Sequence, residues 1–128
     1  SLSIRDIDLF AAAAGPGSFT GVRVGLAAIK GLAEACSNPA AAISNLQALA
    51  SLSLPPILDA HRGEVYSIRH GVETVAPPTL EFPLPTEPPP PLAAAIARLA
   101  LAQGGSDPAA LDANYVRRSD AELLWRDR

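Results

Sequence analysis

The stretch "AAAAGPGSFTGVRVGLAAIKGLA", residues 11–33, decides the fold of this chain. An apolar run over residues 7–14 predicts a buried strand, and residues 20–35 have a helical pattern with Ser18 or Thr20 as candidate N-caps. Between them lies a loop with glycines at 15, 17 and 21. A strand, a glycine turn and a helix in this order are typical of an α/β layer. The loop is a phosphate cradle, the lip of a catalytic site or a structural turn.

The spacing of the loop glycines does not match the common phosphate-binding motifs. A Walker loop needs Lys-Ser or Lys-Thr after its last glycine, whereas Gly21 is followed by Val22 and Arg23. The dinucleotide fingerprint places its third glycine one residue earlier than Gly21. We therefore predict no bound nucleotide and no other cofactor from this loop.

The helix after the loop carries small residues along one face. They recur at intervals of four, three, three and four residues, at Gly21, Gly25, Ala28, Gly31 and Ala35. A glycine inside a helix costs about 0.5–1 kcal/mol relative to alanine, so close approach of another element should compensate. That element is either the chain's own sheet or a helix of another subunit, and the sequence leaves both open.

Residues 36–54 continue the α/β order. The segment "CSNP", residues 36–39, should stop the helix, and residues 40–43 can form a short second strand. Ser44 and Gln47 have the spacing of a capping box that opens a helix to about residue 52. We predict that residues 1–54 form one unit with the order strand, helix, strand, helix.

Residues 55–128 are predicted as a second, smaller unit. It starts with a hairpin of residues 57–60 and 63–70, turning near Arg62-Gly63. Residues 75–91 hold eight of the thirteen prolines and should run extended. An alanine-rich helix over residues 92–103 follows, and Ser119 with Glu122 predicts a short final helix.

Composition and charge exclude several classes of protein. The 128 residues carry a net charge of −3, which is a poor basis for unaided binding of nucleic acid. The single cysteine, Cys36, excludes an internal disulfide framework. No apolar run approaches the roughly 20 residues that a membrane-spanning helix needs. We therefore expect a cytoplasmic protein without a membrane partner.

Four segments resemble the TsaB (YeaZ) family: "GPGSFTGVRVGLAAIKGLA", "AAISNLQALA", "ILDAHRGEVY" and "YVRRSDAEL", in this order. The resemblance implies an α/β fold of the actin, sugar-kinase and heat-shock ATPase (ASKHA) superfamily, built from two ribonuclease-H-like lobes. It implies a part in forming threonylcarbamoyladenosine in tRNA, together with the catalytic paralogue TsaD and the ATPase TsaE. The family also implies possible homodimers, with tRNA reached only through the complex.

The resemblance also implies that the chain is not catalytic. The catalytic paralogue carries a His-x-x-x-His metal pair after the second strand, where this chain reads Asn45-Leu46-Gln47-Ala48-Leu49. Neither end can supply an imidazole ligand, so we predict no catalytic, cofactor or metal site. The alternatives are an ATP-binding, kinase-like enzyme of the same superfamily and a glycoprotease-like peptidase.

Two sets of residues are predicted to matter for function. The family pairs through helices beside the glycine loop, which implies a partner interface formed by Gly21, Val24, Gly25, Ala28, Gly31, Leu32 and Ala35. Structural roles are expected for Gly15, Pro16, Gly17, Ser18, Phe19, Thr20, Asp59, Arg62 and Gly63. Since lobes of this superfamily begin with three antiparallel strands, we expect the first lobe to be incomplete at its N-terminus.

Overall fold

The computed structural model describes residues 2–113 and shows five strands and three α-helices. A 3₁₀ turn over Ile4–Asp6, capped by Ser3, precedes the first strand. The order of the elements is β1 (Phe10–Gly15), α1 (Phe19–Cys36), β2 (Ala40–Ser44), α2 (Asn45–Ser51), β3 (Ile57–His61), β4 (Glu64–Arg69), β5 (Val72–Ala76) and α3 (Ala93–Gln103). This is an α/β fold with one parallel and one antiparallel sheet.

The parallel sheet consists of β1 and β2, and helices cover both of its faces. Phe10 and Ala40 point to the side of α1, where they pack with Ala33. The neighbouring residues Ala41 and Ile43 point to the opposite side and pack with α3. Successive side chains of a strand alternate between faces, so a strand buried on both sides reads as a continuous apolar run. The alanines of β1 keep both helices close to the sheet.

The antiparallel sheet has the strand order β3-β4-β5. The predicted hairpin is confirmed, with positive φ angles of 63°, 56° and 76° at His61, Arg62 and Gly63. The third strand, β5, was not predicted, because residues 75 and 76 were assigned to the proline-rich segment. The dipeptide His70-Gly71 connects β4 to β5, and its φ angles of 52° and 76° suit a tight hairpin turn. A glycine between two short apolar segments is the sequence feature that could have indicated this strand.

Helix α2 connects the two sheets. Its Ala48 lies in the core between β2 and α3, and its Leu46, with no exposed surface, packs against Ala60 and Tyr66 of the antiparallel sheet. The hydroxyl of Ser44 caps α2 by accepting from the amides of Leu46 and Gln47, which is the serine half of the predicted capping box. The same hydroxyl donates to Oε1 of Glu73 on β5, at 2.7 Å.

One of the remaining predictions differs from the structure, and the others are not tested by it. Strand β1 begins at Phe10 rather than at residue 7, because Ser3 and Asp6 cap the 3₁₀ turn that precedes it. Helix α3, predicted as part of the unit 55–128, packs on β1, β2 and α2. The division at residue 54 stays a prediction, and the final helix near Ser119 lies outside the described residues.

Glycine positions in this fold differ sharply in the space around them. A Cβ on Gly105 would lie 2.5 Å from Cδ1 of Leu9, 2.9 Å from Cβ of Pro39 and 3.2 Å from the carbonyl oxygen of Ala40. We expect Gly105→Ala to lower the free energy of unfolding by about 1–3 kcal/mol, because proline and backbone atoms must move. Urea denaturation followed by circular dichroism measures this change.

The control for Gly105→Ala is Gly31→Ala in α1. A Cβ on Gly31 has no heavy atom within 4 Å, so only helix propensity changes. We expect Gly31→Ala to raise the free energy of unfolding by about 0.5–1 kcal/mol. A Gly105→Ala protein as stable as the unmodified protein would show that the segment after α3 does not pack as described.

Candidate functional site

The glycine loop is a turn held by contacts within the chain. Gly15 has a φ of 93°, which side chains rarely permit, so the turn requires glycine at this position. The Pro16 carbonyl accepts a hydrogen bond from Nδ2 of Asn45 at 3.1 Å. Ser18 is the N-cap of α1, since its hydroxyl accepts from the amide of Gly21 at 3.2 Å. The loop therefore links the end of β1 to the starts of α1 and α2.

Gly17, for which a structural role is expected, does not adopt a backbone conformation that is restricted to glycine. Its φ lies outside the left-handed region. A Cβ on Gly17 would be 3.7 Å from Cγ2 of Val22 and 3.8 Å from Nδ2 of Asn45, which are ordinary contact distances. Of the two glycines beside Pro16, only Gly15 is required by the backbone.

Helix α1 has one buried face and one exposed face. Leu26 is 5% exposed and Ala33 has no exposed surface, and Ile29 and Cys36 pack beside Ala33 against Phe10. The predicted interface residues all lie on the exposed side: Gly21, Val24, Gly25, Ala28, Gly31, Leu32 and Ala35. We call these seven residues the small-residue face.

Two glycines of the small-residue face pack against no other part of the described chain. A Cβ on Gly25 or Gly31 would meet no heavy atom within 4 Å. Of the two explanations for the helix glycines, close approach to the chain's own sheet is therefore wrong for these two. Two apolar side chains, Val24 at 63% exposure and Leu32 at 39%, stand in solvent on the same face. Contact with another molecule stays a prediction.

Residues 45–49, where the resemblance implies the position of the paralogue's metal pair, make structural contacts in this chain. Asn45 holds the Pro16 carbonyl, and Leu49 is 3% exposed in the interior. Among residues 2–113, no group of three or more histidine, cysteine or acidic side chains could hold a metal ion. In the same region no helix is long and apolar enough to cross a bilayer.

The predicted residues Asp59, Arg62 and Gly63 lie together at the β3–β4 turn. Oδ1 of Asp59 accepts from the amide of His61 at 2.7 Å, and Oδ2 lies 3.9 Å from Nδ1 of the same histidine. Both side chains are at least half exposed, so this side-chain contact contributes little stability. The Asp59 side chain and the left-handed backbone of Arg62 and Gly63 shape this turn.

Two long-range contacts of the second sheet were not predicted. One is the hydrogen bond between Ser44 and Glu73, and the other places the Arg69 guanidinium carbon 4.4 Å from the centre of the Phe82 ring. Nε of Arg69 also donates to the buried Ser67 hydroxyl at 3.1 Å. Both contacts join residues 13 or more positions apart, so no local pattern could have indicated them.

Comparison with protein families and relatives agrees with the quoted motifs. Residues 1–81 match the family model described as "TsaD: tRNA N6-adenosine threonylcarbamoyltransferase". The Bacillus subtilis tRNA threonylcarbamoyladenosine biosynthesis protein TsaB is 41% identical over 69 residues, which cover 49% of this chain and 30% of that protein. The Escherichia coli protein of the same name is 36% identical over 91 residues, covering 58% of this chain and 39% of its own length.

The fold itself also has solved counterparts. A Pseudomonas aeruginosa structure, named as an uncharacterized protein with similarity to peptidase YEAZ, covers 91% of this chain with a TM-score of 0.72 at 24% identity. A structure named YeaZ from the same organism has a TM-score of 0.67. The chain spans about a third of the length of the curated relatives it matches. The family model, which matches more than half of the chain, and the curated relatives place the chain in the TsaB/YeaZ family.

Proposed function

We propose that this protein is a non-catalytic scaffold subunit in the formation of threonylcarbamoyladenosine in tRNA. It binds a TsaD-type catalytic paralogue through the small-residue face of α1. The observation that carries this proposal is the exposure of Gly25 and Gly31, which have open space above them in the described chain. Both glycines cost helix stability and pack against nothing among residues 2–113, so contact with a partner is the compensation we infer.

The chemistry of this face suits a second helix. Packed helices usually lie 8–10 Å apart, and the shortest separations need small residues at the contact. Gly25, Ala28 and Gly31 provide a shallow groove, and the exposed side chains of Val24 and Leu32 provide apolar area beside it. The same patch can pair with itself about a two-fold axis, so a homodimer competes with the heterodimer.

Further features of the family are part of the proposal. A TsaE-type ATPase joins the pair, tRNA is contacted only through the complex, and the protein works in the cytoplasm. The fold is of the ASKHA type with ribonuclease-H-like lobes. A non-catalytic role is supported by Asn45 and Leu49, which replace the paralogue's metal-binding histidines with a loop anchor and a core residue.

Co-purification with a TsaD-type protein of the same organism tests the proposal. We expect the two proteins to elute together, and threonylcarbamoylation of tRNA to require both. Tagged TsaD-type protein without this chain is the control. Modification of tRNA by this chain alone would contradict the scaffold role. Hydrolysis of ATP by the isolated chain would favour the kinase-like alternative, and chelator-sensitive proteolysis would favour the peptidase.

A further inference from the structure

Four consecutive prolines, Pro88–Pro91, lie just before α3, and we call them the proline quartet. All four are exposed. Proline fixes its own φ at about −65° and excludes the α region for the residue before it. Because Pro88, Pro89 and Pro90 are each followed by another proline, sterics hold the quartet in the polyproline II conformation.

The geometry of polyproline II gives the quartet one defined edge. This helix has three residues per turn and rises about 3.1 Å per residue, so Pro88 and Pro91 lie on the same edge, about 9 Å apart. Pro85 has the same spacing from Pro88 in the sequence, but the chain bends at Thr86 and Glu87 between them. The edge therefore begins at Pro88.

The quartet lies between two fixed points of the fold. Before it, the Phe82 ring lies 4.4 Å from the guanidinium carbon of Arg69. After it, Leu92 packs against the core cluster that contains Ile96 of α3. Between these points Pro88, Pro89 and Pro90 border a cavity of about 900 Å³. A partner would meet a segment that is already ordered, so binding costs little conformational entropy.

The quartet combines apolar rings with hydrogen-bond acceptors. Proline has a carbonyl but no N–H group. Within residues 2–113, the carbonyls of Pro88–Pro91 accept no hydrogen bond. Grooves lined by aromatic residues recognise this combination, since the proline rings pack on the aromatic faces and aromatic O–H or N–H groups donate to the carbonyls.

The charge around the quartet is negative. Glu87 directly precedes it and is exposed, and residues 70–97 contain two further glutamates, Glu73 and Glu81, but no lysine or arginine. The cavity beside the quartet is lined by the carboxylates of Asp59 and Glu87, with no lysine or arginine among its described lining residues. A partner groove with a positively charged rim complements this surface, and one with an acidic rim is repelled.

We propose that the proline quartet is a docking site for a partner domain with an aromatic-lined groove and a basic rim, such as a WW domain with an arginine beside its groove. The aromatic side chains pack on the edge formed by Pro88 and Pro91, and the basic rim faces Glu87. The quartet lies on a different segment from the small-residue face, so the proposal does not depend on the proposed scaffold role.

Titration of an isolated, isotope-labelled WW domain with the full chain, followed by nuclear magnetic resonance, tests the site. The domain carries an arginine beside its aromatic groove. We expect saturable shifts of the groove resonances, a dissociation constant below about 1 mM and weaker binding at high salt. The matched probe is the same domain with that arginine replaced by glutamate, which should bind at least about threefold more weakly.

Variants of the chain test the edge itself. Pro88→Ala with Pro91→Ala removes both rings of the edge and should weaken binding at least about fivefold. Pro77→Ala with Pro78→Ala changes two exposed prolines outside the quartet, so this control should leave affinity unchanged.

Glu87→Lys tests the charge beside the quartet. It should weaken binding about threefold or more, because a cation then faces the basic rim. The proposal would be overturned by no saturable binding, by equal losses in the two double proline variants, by equal binding of the two WW probes, or by unchanged or tighter binding of the Glu87→Lys protein.

Discussion

Gly25→Leu should weaken binding to a TsaD-type partner at least about thirtyfold, which corresponds to about 2 kcal/mol. A leucine on the small-residue face would hold the two helices apart and cost packing across the contact. The fold should not suffer, because no heavy atom lies within 4 Å of a Cβ at this position. Replacing an exposed helix glycine should instead raise helix propensity by up to about 1 kcal/mol.

Two measurements on the Gly25→Leu protein distinguish weaker partner binding from a less stable fold. Isothermal titration measures affinity, and urea denaturation of the same variant measures stability. Ala94→Leu makes a similar change on the exposed side of α3 and should alter neither quantity. Unchanged affinity of the Gly25→Leu protein would exclude this face as the partner interface. A parallel loss in Ala94→Leu would show a general effect of added apolar surface.

Leu46→Ala should lower the free energy of unfolding by about 2–5 kcal/mol. Leu46 has no exposed surface and packs in the first turn of α2 against Ala60 and Tyr66, with Leu58, Ile68 and Val75 beside them. Truncation removes buried methyl groups and leaves a cavity that the strands of a hydrogen-bonded sheet cannot easily fill. Circular dichroism during urea denaturation measures the loss.

Leu101→Ala is the control for this substitution. Leu101 lies in α3 with 74% of its surface exposed, so its truncation should change stability by less than about 0.5 kcal/mol. Hydrogen exchange gives a second readout, since Leu46 joins α2 to the antiparallel sheet. We expect the amides of β4 to lose protection in Leu46→Ala. A change below 1 kcal/mol would mean that α2 does not carry the contact between the two sheets.

Local sequence signals predicted most elements of this fold. Ser18 and Ser44 occupy N-cap positions because their hydroxyls accept from nearby amides, which depends only on residues two or three positions away. The hairpin turn at Arg62-Gly63 likewise follows from local backbone preferences. The strand β5 was missed because its five residues adjoin the prolines that dominate that region.

For the small-residue face, too, the sequence predicted one part and the tertiary structure decided another. Helical periodicity alone placed Gly25, Ala28 and Gly31 on one face. Periodicity could not say whether that face meets the chain's own sheet, because both faces of α1 contain small residues. Burial in the tertiary structure decided this: Leu26 and Ala33 are buried, Ala33 against Phe10 of β1, and Gly25 and Gly31 face open space.

By itself the sequence determined the order of the elements other than β5, the serine N-caps, the turn at Arg62-Gly63 and the family motifs, since each depends on residues close together in the chain. Only the tertiary structure decided where α3 packs, that Ser44 bonds to Glu73, and that Phe82 lies on Arg69. These contacts join residues far apart in sequence, and their partners are selected by the shared burial of apolar surface. Which surfaces pack together depends on their shapes and on competition among many surfaces of the chain, so it cannot be predicted from a short stretch of sequence.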